Sequence, residues 1–185
     1  MQIYYPSLQA IHQQTLQLEL EPCKHCQQTH QLVSHGFIRK KRSGGGDPQA
    51  VGKRVFCSNR HQRTGCGRTM QLYLDGTLRY VHHAGSAVVA FVLALLTGVS
   101  IGLAYMQVTG AHSPRHAYRW LHRLDRQIST YRSLFHQPLL VQPMIIEPPG
   151  CPRRSLLAST FAHLIARFGQ PLCQAYQSQL QRPFF

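Results

Sequence analysis

Acidic residues are scarce in this chain. Glu19, Glu21, Asp47, Asp75, Asp125 and Glu147 are the only carboxylates among 185 residues, against twenty lysines and arginines. No two share the spacing of a paired-carboxylate motif, which argues against a carboxylate-based metal nuclease site. The cysteines and histidines form no nucleophile–base–orienter set either, so the expectation is a protein that is not an enzyme. No secretory leader is expected: residues 1–21 show no basic start followed by an apolar core, and glutamine and histidine run throughout. The expected location is therefore the cytoplasm, in association with the nucleoid. The lack of acid leaves a net charge of +14 and a pI near 10.2. Such a field attracts polyanions, nucleic acid first and anionic membrane second. Hydrophobic residues make up 43%, enough for a core, and the length suits one ordinary domain or two small ones.

What is present is organised around Cys23 to Cys66. The stretch opens with Cys23-Lys24-His25-Cys26 and closes with Cys57, an arginine-studded insert, and Cys66-Gly67-Arg68-Thr69. A Cys-x2-Cys turn aims two thiolates at one point, and a second pair closes a tetrahedron around zinc. The expected ligands are Cys23, Cys26, Cys57 and Cys66. Eight residues separate the second pair where two to four are usual. Either Ser58–Gly65 loops out, or His61 replaces Cys57, or His30 replaces a member of the first pair. Between the knuckles, Leu32–Ile38 and Val51–Phe56 are β-prone and flank a glycine run that reads as a hairpin tip. Thr69–Leu74 is expected to add a third strand. Two knuckles joined by a hairpin make a zinc ribbon, assigned to residues 21–80. A unit so small has little core, so the metal should supply much of its folding free energy. Positive charge gathers on the hairpin (Arg39, Lys40, Lys41, Arg42, Lys53, Arg54) and on and beside the insert (Arg60, Arg63, Arg68), as expected for contact with phosphates.

Ahead of the ribbon, residues 1–20 are read as an arm and strand. Leu16, Leu18 and Leu20 alternate with polar residues, which suggests a strand, and Tyr4-Tyr5-Pro6 suggests an arm.

Beyond the ribbon, Ala84–Met106 carries no charge and is long enough to span a bilayer. The run is interrupted by Thr97-Gly98-Val99-Ser100-Ile101-Gly102, a turn and helix start. The expected succession is a helix Ala84–Leu96, a short helix Ser100–Val108, and a third helix from Ser113, with Ser113 as N-cap and Pro114 in the first turn. In the third, Ala117, Trp120, Leu121, Leu124 and Ile128 fall in one apolar stripe. Arg115, His116, Arg119, Arg123 and Arg126 are the candidate DNA contacts. Two apolar helices and an amphipathic one with an arginine face are the components of a helix-turn-helix, assigned to residues 84–132. The fold class expected for the whole chain is α+β.

The pattern Cys23-x2-Cys26, Cys66-Gly67-Arg68-Thr69-Met70, then helices ending in His116-Ala117-Tyr118-Arg119-Trp120-Leu121, resembles the zinc-ribbon plus helix-turn-helix module of bacterial insertion-sequence transposases and their accessory DNA-binding proteins. It covers roughly residues 21–128. The resemblance implies binding of element DNA by ribbon and helices, with the carboxylate chemistry supplied by another domain or protein. A transcription regulator unconnected with transposition and a membrane-anchored ribbon held by residues 84–106 are the alternatives.

The C-terminal third changes character. Five prolines between Gln137 and Pro152 mark an extended connector, assigned to 133–152. Arg153–Phe168 and Leu172–Gln181 then read as two helices, within a C-terminal segment assigned to 153–185. They are expected to pack on the helix-turn-helix, on a second copy, or on a partner such as a transposase. Cys151 and Cys173 read as ordinary thiols.

Overall fold

A four-stranded sheet and six helices make up the fold of the computed structural model, which is of the α+β class. The structure describes residues 1–41, 46–134 and 156–185 in full and the backbone alone of 152–155. Arg42 and most of the glycine run lie outside the described residues, as do residues 135–151 with most of the proline-rich stretch and Cys151.

Two units divide the chain. The first comprises Met1–His82 together with Tyr176–Phe184. It holds β1 (Gln2–Tyr5), α1 (Leu8–Leu16), β2 (Leu32–Lys40), β3 (Gln49–Cys57) and β4 (Thr69–Leu74) in the order β1-β4-β3-β2. β2 and β3 pair antiparallel as the hairpin expectation requires and β4 adds to β3, also antiparallel, while β1 joins the far edge parallel to β4. One face of the sheet is covered: Leu32, Val55, Met70 and Leu72 form a core with Ile11 of α1, Leu18, Cys23 and Cys57. At Gly52 the next strand comes so close that an added Cβ would lie 2.1 Å from the Leu72 carbonyl oxygen.

The N-terminal expectation needs correcting. Tyr4 and Tyr5 belong to β1 rather than to an arm, and Leu16–Leu20 is not a strand. Leu16 ends α1, whose start is capped by the Ser7 hydroxyl accepting from Ala10 N, and a turn follows. Of the three leucines only Leu18 is buried; Leu16 and Leu20 are 71% and 74% exposed, so their alternation carries no sheet face.

The second unit, His83–Ala175 with Phe185, is helical. It contains α2 (Gly85–Leu96), α3 (Ile101–Thr109), α4 (Arg115–Ser133), α5 (Pro152–Phe168) and the start of α6 (Leu172–Leu180). The uncharged run is thus broken into two short helices, with Gly98 at φ +90° in the break. No described helix is long and apolar enough to cross a membrane. α3 ends on Gly110 in the left-handed conformation, whose N–H bonds to the Met106 carbonyl. α4 starts one residue later than expected: Pro114, not Ser113, occupies the cap, with no side-chain bond.

The core of this unit is aromatic. Phe91 of α2, Tyr105 of α3 and Trp120 of α4 meet edge to face, with Phe91–Trp120 centroids 5.6 Å and Tyr105–Trp120 centroids 5.2 Å apart. His83 packs on both Tyr105 and Trp120. Offset and edge-on arrangements of this kind add to the burial of the rings. α5 packs on α4, and the Arg167 guanidinium donates to the Leu134 carbonyl.

The two C-terminal helices part company. α5 stays with the helical unit, whereas the end of α6 and the residues up to Phe184 belong to the sheet unit. Gln177, wholly buried, accepts from Gly76 N at 2.7 Å and donates to the Thr77 carbonyl at 3.0 Å. One turn on, Gln181 accepts from Tyr4 N at 2.8 Å and donates to the Tyr4 carbonyl at 3.0 Å. A primary amide carries one acceptor and one donor side by side. Gln181 therefore does for edge strand β1 what a neighbouring strand would do.

Candidate metal centre and basic surfaces

The two cysteine knuckles have matching backbones. In the first, Gln27 N bonds to the Cys23 carbonyl at 2.8 Å, and Gln27 takes φ +61°. In the second, Gly67 N bonds to the Cys57 carbonyl at 3.0 Å, and Gly67 takes φ +72°. Each knuckle also turns a backbone N–H onto its first sulphur: His25 N lies 3.4 Å from Cys23 Sγ, and Cys66 N lies 3.3 Å from Cys57 Sγ.

The long spacing is resolved by a looped insert. Gly65 N bonds to the Ser58 carbonyl at 2.8 Å, closing the loop at its base. Gly65 is required there, since a Cβ would sit 2.3 Å from Ser58 O and 2.7 Å from Cys57 Sγ. With the loop pinched off, Cys66 occupies the place that the second cysteine of a short knuckle would take.

All four sulphurs, of Cys23, Cys26, Cys57 and Cys66, lie within 4.8 Å of one another. Cys23 Sγ to Cys66 Sγ is 3.8 Å and Cys26 Sγ to Cys57 Sγ is 3.7 Å. A tetrahedral metal with sulphur bonds of about 2.3 Å requires edges of about 3.8 Å. The set thus fits a metal ion. His30 and His61 are exposed and outside the cluster.

The electrostatics agree with that fit. Burial opposes ionisation of Cys23, but the N–H groups of Cys26 and His25 and the thiols of Cys57 and Cys26 outweigh it, bringing its pKa down to about 7. Burial pushes Cys57 up to about 12, with the Cys66 N–H pulling the other way and the neighbouring thiols adding to the rise. Without a cation the cluster holds its protons unevenly, and a bound cation would favour the thiolates.

The basic residues fall into two groups. In the first, the charge is engaged within the sheet unit. Lys40, expected to meet phosphate, turns its ammonium to the carbonyls of Leu78 and Val81. Lys53 donates to Thr15 Oγ1 at 3.1 Å and sits over the Phe37 ring. Arg63 donates to the His30 carbonyl at 3.0 Å, and Arg68 Nη1 lies 3.3 Å from His25 Nδ1. Those two arginines tie the second knuckle and its insert to the first. Arg39, Lys41, Arg54 and Arg60 form the second group and are exposed.

In the helical unit, Ala117, Trp120, Leu124, Ile128 and Tyr131 line the buried face of α4. At about 100° per residue, Arg115, Arg119, His122 and Arg126 line the opposite face, and all four are exposed. His116 is exposed to one side of that row, and Arg123 is half-buried.

Sequence reasoning missed two features: the pairing of β1, and the amides of Gln177 and Gln181. Their only signal is two glutamines four apart in the expected helix Leu172–Gln181, a spacing that puts them on one face, although α6 itself ends at Leu180 and Gln181 takes φ +52°. No family model, curated protein or solved structure matches this chain.

Proposed function

We propose that this protein binds double-stranded DNA for a mobile genetic element, as an accessory or regulator of transposition. Zinc holds the ribbon, and α2 to α4 act as a helix-turn-helix. The observation that carries the reading is the row Arg115, Arg119, His122 and Arg126 directly opposite the buried face of α4. Such a helix is anchored by one side and offers guanidinium groups on the other, as a helix entering the major groove requires. Four thiolates at tetrahedral spacing favour zinc among common metals on grounds of softness and geometry. On this reading the strand chemistry is left to a partner such as a transposase, reached directly or through a homodimer.

Selection of bound sequences from a random duplex pool tests this. Arg115 and Arg119 stand in the first turns of α4, where base edges are within reach, so each change to alanine should cost about 1–3 kcal/mol of discrimination and relax sequence preference. Arg126, nearly three turns from the start, should meet phosphate, and Arg126→Ala should weaken all sequences alike and flatten the salt dependence. Unchanged sequence preference in a folded Arg115→Ala, Arg119→Ala protein would falsify the assignment of α4 as reader.

A further inference from the structure

The sheet of the first unit has a second face. Residues directly opposite across strands share a face, so Arg54 lies beside Gln71, and Phe56 lies between Val33 and Thr69. This is the face away from α1, because Val55, Leu32 and Leu72 on the alternate positions form the core with Ile11. One end of it is closed: Tyr4 and Tyr73 stack at 6.1 Å and are buried with Ile38. The other end is open, with Val33, Phe56 and Gln71 half-buried and His35, Arg54 and Thr69 exposed.

At the centre of the open end stands an aromatic group. The Phe56 ring has the His35 ring 6.1 Å away on a tilt of 44° and the Arg60 guanidinium 5.8 Å from its centroid. A β-bulge between Ser34 and Phe37 brings His35 into this position, with Gly36 at φ +87° inside it. Three flat groups in a row, on a strand pair with a further guanidinium at Arg54, make a surface of planar and cationic character. No acidic residue occurs in β2, β3 or β4.

The geometry points to a binding surface for the unpaired bases of a single nucleic acid strand on the open face of this sheet, with bases stacking on Phe56 and His35 and phosphates meeting Arg54 and Arg60. Charge complementarity selects a polyanion, and the flat groups select one whose bases are not stacked in a duplex. Aromatic platforms bordered by cations are how single strands are held without sequence preference. The inference goes beyond the duplex reading of α4, since it uses other residues on another unit, and each can fail without the other.

The test is binding of the full-length, metal-loaded protein to fluorescent oligo-dT and oligo-U strands of about 16 nucleotides, within the range one such module covers. An abasic strand with the same phosphates and a duplex run alongside. Both base-bearing strands should bind more tightly than the abasic one, and the dT and U arms show whether the natural ligand is DNA or RNA. Phe56→Leu should weaken base-bearing strands about five- to hundredfold while leaving the salt slope unchanged. Because Phe56 is half-buried, retained metal content checks that this variant folds, and exposed His35→Ala provides a second loss of stacking without that risk. Arg54→Ala with Arg60→Ala should weaken all strands and flatten the salt slope. Arg115→Ala with Arg119→Ala should leave strand binding intact, and excess duplex should not displace the strand. Strand binding that persists when duplex binding is absent separates this proposal from the duplex reading. Equal affinity for the abasic strand, or full affinity in both metal-loaded Phe56→Leu and His35→Ala proteins, overturns it.

Discussion

The sheet unit and the helical unit reach a folded state by different means. In the sheet unit, Cys23 and Cys57 are at once core residues, packed with Ile11, Leu18, Leu32, Val55, Met70 and Leu72, and members of the four-cysteine cluster that could hold a metal. Of its cations, Lys40, Arg63 and Arg68 bond to carbonyls and a histidine ring, while Arg39, Lys41, Arg54 and Arg60 stay exposed. The helical unit is built on Phe91, Tyr105 and Trp120, and Arg115, Arg119 and Arg126 of its α4 remain exposed. Where the apolar core is small, polar groups and a metal site share the task of fixing the backbone. Where rings fill the core, the guanidinium row on α4 takes no part in it. The same residue type therefore means different things in the two units, and an arginine count alone misjudges the first.

The strongest way to break this comparison is to remove the metal. Chelation, or Cys23→Ser, should abolish amide protection in β2 to β4 and leave that of α2 to α4, as read by hydrogen exchange. Metal uptake near pH 8 should also release protons, Cys57 among their sources, and affinity should fall as pH falls because protons compete for the thiolates. Calorimetry in buffers of different ionisation enthalpy reads both. Equal loss of protection in the helices would erase the distinction between the units.

Trp120→Ala is the converse. Removing the ring that touches His83, Phe91 and Tyr105 should destabilise the helical unit by about 3–5 kcal/mol. Metal stoichiometry should stay unchanged, and the denaturant midpoint of the helical signal measures the loss.

Gln177→Ala should have a smaller effect, confined to the sheet unit. It leaves Gly76 N and the Thr77 carbonyl without the amide that serves both, at a cost of about 1–3 kcal/mol. Chemical denaturation followed by a probe in the sheet would register it. Smallest of all on stability is Arg126→Ala, on the exposed row of α4. Its midpoint should shift by less than about 0.5 kcal/mol, so any loss of DNA binding reports contact and not unfolding.

How far the chain could be read in advance follows the same division. The cysteine bracket marked the four-sulphur cluster because thiolate spacing is a local signal, and the looped insert was one of the alternatives offered by the extra residues between Cys57 and Cys66. The α4 stripe was legible because Trp120, Leu124 and Ile128 repeat at the helical period. The glycine at 98 and the left-handed Gly110 marked the breaks between helices. By contrast, Leu16, Leu18 and Leu20 mimic a strand over the end of α1 and a turn, where two of the three are exposed. β1 is four residues long, too short for any periodicity to show. Lys40 read as a surface charge because nothing in its neighbours reveals that the Leu78 and Val81 carbonyls will be within its reach.

The pairing of Gln181 with Tyr4 carries a consequence for the order of events during synthesis. The two residues are 177 positions apart, and the whole helical unit is made between them. The ribosome thus releases β1, the knuckles and the hairpin long before it makes the residues that cover the outer edge of β1. Until then that edge presents open backbone groups to any neighbouring chain. Closing so long a loop also comes late, after local contacts have formed. A nascent sheet unit with its knuckles formed but not yet its last helix is the species most exposed to mispairing, and shortening the chain by its final ten or so residues would make that state permanent.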